Sequence, residues 1–308
     1  MEIATYVAEG VHRRLCDVLR SRGFIEPIAR YEQLSAQERS AIRILFGWRV
    51  PQSAIDSLPK LAWIQGAGAG VDWLMPVHLP PGVAVTRIVD QFGPDMGEYA
   101  LMAALAWVKD WRRLYSMQQK QEWKPYLVGQ LAVLRVGILG AGSIGAHIAS
   151  MFRPLVREVR AMGRRRPEIP GVLGFSEIEW TTFYRGLDLL IIVLPHTSAT
   201  YHLVGLEQLR LMNPGSYLIN IGRGAVLDQE ALEAAVKSGH LSGAALDVFE
   251  VEPLPADSPL WRLPGITISP HLSGPSRVDG MADVFLQNLT RFRQGAPLLG
   301  VVERSRGY

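Results

Sequence analysis

The stretch Arg135–Gly145, RVGILGAGSIG, decides the fold. Val136, Ile138 and Leu139 form a short apolar run around Gly137, and Gly140, Gly142 and Gly145 follow with the spacing G-x-G-x-x-G. Ala146–Phe152 continues in a helical pattern. The spacing predicts a buried strand, a tight turn and a helix N-terminus. Gly140 permits the turn, Gly142 lets a pyrophosphate approach the backbone, and Gly145 lets the helix pack closely on the strand. Free N–H groups and the helix dipole attract phosphate there. Gly140, Ala141, Gly142, Ser143, Ile144 and Gly145 are therefore the candidate seat of a dinucleotide. In a chain with 30 glycines the spacing alone is weak, and the flanking strand and helix give it weight. The motif stands near the middle of 308 residues, so something folds ahead of it.

A chain of 308 residues suits about two domains of roughly 100–200 residues each. It is 48% hydrophobic and 20% charged, ordinary for a soluble globular protein. The net charge is +3, with basic residues mostly scattered, which points to no nucleic-acid partner. The single cysteine, Cys16, excludes an internal disulfide and a cysteine-rich metal site, and no metal is expected. The N-terminus, MEIATYVAEG, reads as a first strand without the apolar core of a signal peptide. No apolar run reaches ~18 residues, so no membrane span is expected. A cytoplasmic protein is the expectation.

Ahead of the motif, Ile3–Val7, Leu61–Ile64 and Val83–Ile88 read as strands, Ala41–Phe46 as a second apolar run, and Val11–Arg22 and Ile55–Leu58 as helices. That rhythm predicts a small parallel α/β domain. Gly97–Gln121 reads as one long helix leading into the second domain, followed by an extended lead-in over Trp123–Leu134. Beyond the motif, Val159–Met162, Leu187–Leu194, Tyr217–Ile221, Ala244–Val248 and Ile266–Ile268 read as buried strands. Helices are expected at Glu230–Ser238 and Val278–Arg293. Buried strands alternating with helices predict a doubly wound parallel sheet.

Roughly twenty residues past such a fingerprint, an acidic residue usually meets the adenine ribose. Here the second strand ends Ala161-Met162-Gly163-Arg164-Arg165-Arg166, with no acid. A guanidinium binds a 2′-phosphate through charge-assisted, bidentate contacts. The run thus points to NADP(H), through Arg164 and Arg166 first with Arg165 beside them, and to NAD(H) second. A solvated basic loop is the other reading of such a run. Farther on, Arg223 in NIGRG, Glu252 in DVFEVEP and His271 in SPHLSG each follow a predicted strand, where ligands bind in open α/β sheets. Glu250, two residues before Glu252, is an alternative acid by spacing.

GAGSIG, NIGRGAVLDQEAL, LDVFEVEPLP and SPHLSG together resemble the D-isomer-specific 2-hydroxyacid dehydrogenase family, along nearly the whole chain. In finer detail the chain is similar to the bacterial glyoxylate/hydroxypyruvate reductase A group. The features are the Gly66–Asp72 loop, the arginine turn followed by Pro170-Gly171-Val172, Ser258-Pro259-Leu260-Trp261, and the terminal Arg306-Gly307-Tyr308. The resemblance implies a Rossmann cofactor domain over residues 96–274 and a flavodoxin-like substrate domain over 1–95 and 275–308. It implies an active site in the cleft between them and a homodimer, for which the Ala100–Tyr115 helix is a candidate contact.

The resemblance also assigns roles. Arg223 binds the substrate carboxylate and polarises the 2-oxo group, tasks that suit a planar cationic fork. His271 exchanges a proton with the substrate oxygen, and Glu252 pairs with His271. Ala69 and Gly70 hold the carboxylate through backbone N–H groups, and Trp48 limits the pocket. Asp247 contacts the nicotinamide carboxamide. Leu194, Pro195, Ile221 and Gly222 line the cofactor, and Met96 faces it. The implied reaction is reduction of glyoxylate or hydroxypyruvate by NADPH. The family leaves open another 2-hydroxy acid, including 3-phosphoglycerate, and a nucleotide-sensing corepressor-like protein.

Overall fold

The computed structural model describes residues 1–304, so the terminal Arg306-Gly307-Tyr308 lies outside the described residues. The chain forms two compact units, Met1–Phe92 with the segment from Ser276, and Gly93–Pro275.

In the first unit the order is β1 (Ile3–Tyr6), α1 (Glu9–Ser21), β2 (Ile28–Arg30), α2 (Ala36–Arg39), β3 (Ile44–Gly47), α3 (Gln52–Asp56), β4 (Trp63–Gly66) and β5 (Ala84–Thr86). The strands lie in the order β2-β1-β3-β4-β5, all parallel, the flavodoxin-like arrangement. Every residue of β3 and β4 is buried, because helices cover both faces of a parallel sheet. One face carries Leu45 and Ile64 into a core with Val50, Ile55 and Leu74. On the other face Trp63 stacks on Phe285, 5.5 Å between centroids, and Phe46 meets the same ring edge-on at 5.7 Å. Phe285 belongs to the helix Val278–Arg293. The sequence reading passed over β2, whose IAR triplet is short and half-buried and carries no alternation to detect.

The second unit begins with α4 (Gly93–Val108) and α5 (Trp111–Gln119). The single helix expected over Gly97–Gln121 is thus two. Asp110 divides them, adopting a left-handed backbone (φ 49°) while its carboxylate accepts from the Arg113 N–H at 3.4 Å. Asp tolerates that conformation and caps the helix that follows. Then come β6 (Arg135–Leu139), α6 (Ser143–Phe152), β7 (Glu158–Gly163), β8 (Leu173–Ser176), α7 (Trp180–Tyr184), β9 (Leu189–Ile192), α8 (Leu206–Leu211), β10 (Ser216–Asn220), α9 (Gln229–Lys237), β11 (Leu241–Leu246) and β12 (Ile266–Ile268). The sheet runs β12-β11-β10-β9-β6-β7-β8, parallel throughout. This is the doubly wound order with one strand added at an edge, and its direction of winding reverses between β6 and β9. Leu139, Leu190, Leu218 and Leu246 pack with Phe183, Tyr184 and Leu209 in one core.

The turn from β6 to α6 depends on close backbone approach. Gly140 has φ +108°, and a Cβ on Gly145 would lie 1.8 Å from the Gly140 carbonyl oxygen. A Cβ on Gly142 would meet nothing within 4 Å. Gly145→Ala is therefore expected to cost about 2 kcal/mol or more by forcing the helix off the strand, read as a thermal midpoint several degrees lower. Gly142→Ala should leave the midpoint close to wild type. Equal losses in the two variants would contradict this packing.

Candidate active site

The groups that could hold a dinucleotide meet at neighbouring strand ends. Gly142 is the N-cap of α6 and supplies no side-chain cap, so the first amides of the helix lack side-chain partners. Gly142 and Ser143 are exposed, Ala141 and Ile144 half-buried. The open space in front of Gly142 lets a diphosphate approach the backbone, so these residues fit the group. The Gly140 N–H donates to Met162 O at 3.0 Å, which ties the fingerprint turn to the end of β7 and the arginine run after it. On the other side, Ile221 N–H donates to Ile192 O at 3.1 Å. A Cβ on Gly222 would lie 2.7 Å from the Leu194 carbonyl oxygen, and one on Gly140 would lie 3.2 Å from the Leu194 side chain. Gly140, Leu194 and Gly222 are thereby brought together, with Pro195 half-buried beside them. Met96 is buried on α4.

Arg164, Arg165 and Arg166 are all exposed at the end of β7. Arg166 forms an ion pair with Glu179.

Arg223 follows β10 on a turn set by Asn220, which is fully buried. The Asn220 amide donates to Arg223 O at 3.2 Å, and its oxygen accepts from Gly222 N–H at 3.2 Å. Arg223 Nη1 donates to Gly222 O at 2.8 Å. Sequence reasoning missed Asn220. Its signal was an Asn at a strand end just before glycine, a residue that bonds its own turn.

His271 Nδ1 lies 2.8 Å from Glu252 Oε2, while Glu252 Oε1 accepts from Phe249 N–H at 3.0 Å. A carboxylate only accepts, which places a proton on Nδ1 and leaves Nε2 outside this contact. The His271 side chain is 49% exposed. Glu250 faces elsewhere: it accepts from Tyr201 Oη at 3.0 Å and lies 3.3 Å from His202 Nε2. The two candidate acids are thus separated by geometry.

Asp247 was expected against a nicotinamide carboxamide. The structure surrounds its carboxylate with protein. It is 0% exposed and accepts from Ser269 Oγ at 2.6 Å, Leu272 N–H at 2.9 Å and Ser273 N–H at 2.8 Å. Its carbonyl accepts from His271 N–H at 2.9 Å. Tyr99 Oη lies 2.5 Å from Ser269 Oγ and can donate to it. Burial pushes the Tyr99 phenol up, which keeps it protonated. His271 sits within this clamp at φ 53°, in the left-handed region. Ser269 and Tyr99 also escaped the sequence reading, since nothing in their spacing marks them.

In the first unit, the Trp48 ring covers Gly68, where a Cβ would come 2.7 Å from the indole. The Ile88 N–H donates to Gly68 O at 2.9 Å, holding the loop that presents half-buried Ala69 and Gly70. Trp48, Ala69 and Gly70 are therefore neighbours. Among the described residues no group of three or more His, Cys, Asp and Glu is placed to hold a metal ion, and no helix is long and apolar enough to cross a membrane.

Comparison with known proteins places this geometry. The family model of the D-isomer specific 2-hydroxyacid dehydrogenase, NAD binding domain, matches residues 101–273. A glyoxylate/hydroxypyruvate reductase A of Serratia proteamaculans is 35% identical over 269 residues, 85% of this chain and 86% of its own. One from Salmonella heidelberg is 31% identical over 290 residues, covering 92% and 93%. The crystal structure of a D-isomer specific 2-hydroxyacid dehydrogenase from Xanthobacter autotrophicus, in complex with NADPH and MES, superposes with a TM-score of 0.91 at 30% identity, over 100% of this chain and 99% of that one. An NADPH-dependent glyoxylate/hydroxypyruvate reductase from Sinorhizobium meliloti, in complex with NADP and sulfate, gives a TM-score of 0.91 at 25% identity over 100% of both chains. The fold, the fingerprint and these matches lead to one conclusion: the chain belongs to the D-isomer-specific 2-hydroxyacid dehydrogenase family.

Proposed function

We propose that the protein reduces glyoxylate and hydroxypyruvate to glycolate and D-glycerate with NADPH. The observation that carries this reading is the Glu252–His271 pair at 2.8 Å, in the same unit as an open, uncapped dinucleotide fingerprint. The relatives named for this activity support the substrate class. The arginine run at the end of β7 supports NADPH, with NADH as the lesser cofactor.

The nicotinamide, when bound, supplies the hydride that reaches the 2-oxo carbon. His271 gives the proton on Nε2 to the carbonyl oxygen as charge develops there. Glu252 holds the ring by Nδ1. Arg223 pairs with the substrate carboxylate and draws electron density from the 2-oxo group. Asp247 positions the loop that carries His271. By resemblance to the family, Ala69 and Gly70 offer backbone N–H groups to the substrate carboxylate, and Trp48 beside them favours small acids.

We further propose a homodimer through the second unit. Trp111 is 62% exposed, Tyr115 58%, Trp123 94% and Leu127 100%. Large apolar side chains in such number on one stretch mark a surface that a second copy covers.

Purified protein is expected to oxidise NADPH with glyoxylate and hydroxypyruvate, followed by absorbance, and to do so less efficiently with NADH. Binding of NADPH without turnover on any 2-oxo acid would favour a sensing role and overturn the enzymatic one. His271→Ala should lower turnover by about 100-fold or more while NADPH still binds; unchanged turnover would refute the proton donor. Trp123→Asp combined with Leu127→Asp is expected to shift sedimentation from dimer to monomer. A variant that stays dimeric would exclude this surface.

A further inference from the structure

The arginine turn carries an acid that the cofactor reading leaves unused. Arg166 Nη2 pairs with Glu179 Oε1. The other oxygen of Glu179, Oε2, accepts from Ser176 N–H at 2.9 Å and from Ser176 Oγ at 2.6 Å. Glu179 thus closes a capping box at the end of β8. In the sheet Ser176 stands opposite Gly163, so this acid hangs at the same strand ends as the Arg164–Arg166 turn.

Ion pairs between long exposed side chains contribute little, because both partners lose rotamer freedom. Here one partner is already fixed. Glu179 is 29% exposed and locked by Ser176, while Arg166 is 63% exposed. The Arg166 stem also runs beside Gly174, where a Cβ would lie 3.0 Å from Arg166 Cγ. The guanidinium is therefore held, and held by a charge of the same sign as a phosphate. The Ser176 donors, with Arg166 adding to them, keep the Glu179 carboxyl below its usual range, so it is ionised at neutral pH.

We propose that Glu179 is a specificity-determining residue, a built-in counter-ion that orients Arg166 and competes with the 2′-phosphate of NADP(H) for its guanidinium. This rests on the cofactor reading above. A 2′-phosphate must share Arg166 with Glu179 or displace it. A 2′-hydroxyl, as in NAD(H), asks for no such exchange. Glu179 therefore weakens the phosphorylated cofactor selectively, narrowing the preference that the arginines create and easing release of NADP⁺.

The test is Glu179→Gln, which keeps an oxygen for the Ser176 donors and removes the charge. Titration of the purified protein by cofactor fluorescence is expected to show NADPH binding tightened by about fivefold, with NADH unchanged and the thermal midpoint near wild type. In an Arg166→Ala background the same substitution should lose most of that gain, because the contested group is gone. Unchanged or weaker NADPH binding in Glu179→Gln overturns the proposal. So does an equal loss of both cofactors, which would mark a purely structural cap. Glu179→Ala, which removes the charge without an amide, is expected to shift the preference in the same direction, and the opposite shift would also overturn it. Failure of the cofactor reading looks different: wild type would bind NADPH no better than NADH, and Arg166→Ala would change neither.

Discussion

A carboxylate with no contact to water must find donors within the protein, and Asp247 finds them in one short loop. Ser269 Oγ, Leu272 N–H and Ser273 N–H satisfy its two oxygens, and its own carbonyl takes the His271 N–H. An unpaired ion at such a site would cost several kcal/mol, so the loop has little freedom to leave. That tight hold maintains the left-handed backbone of His271, a conformation that is uncommon for a residue other than glycine. The imidazole is then oriented separately, by Glu252 on Nδ1. Two acids divide the work, one fixing the main chain and the other the ring.

The same economy recurs at β10, where buried Asn220 shapes the turn that bears Arg223. Arg223 and His271 therefore sit on exits of rigid strands, one braced by Asn220 at the end of β10 and the other by Asp247 just after β11. Parallel strands buried on both faces cannot slide without exposing apolar surface. The flexible element at each exit is only a few residues long, and the brace removes most of its remaining freedom.

Much of this was legible in the sequence. The apolar runs are so continuous, and the glycines so placed, that most strands of both sheets and the turn after β6 could be read from pattern alone. The Glu252–His271 pairing followed from family motifs, and geometry then separated Glu252 from Glu250. What escaped is what pattern does not encode. β2 and β8 are short and half-buried, with no period to detect. The break at Asp110 rests on a left-handed residue inside an otherwise helical composition. The roles of Ser269, Tyr99 and Glu179 arise from contacts across strand ends, which spacing along the chain cannot reveal.

The order of the second sheet has a consequence for how such a protein changes over time. The fingerprint and the arginine turn stand on β6 and β7, while Arg223, Glu252 and His271 follow β10, β11 and β12. β9 lies between the two groups. Substitutions that share no partners tend to add independently. With the proposed roles, a lineage can therefore exchange one nucleotide pool for another by altering the β7 exit while its chemistry stays intact. It can equally retune the acid it consumes without renegotiating its supply of reducing power. The sheet keeps fuel and feedstock on separate inheritance, and the same partition gives an engineer two handles that do not interfere.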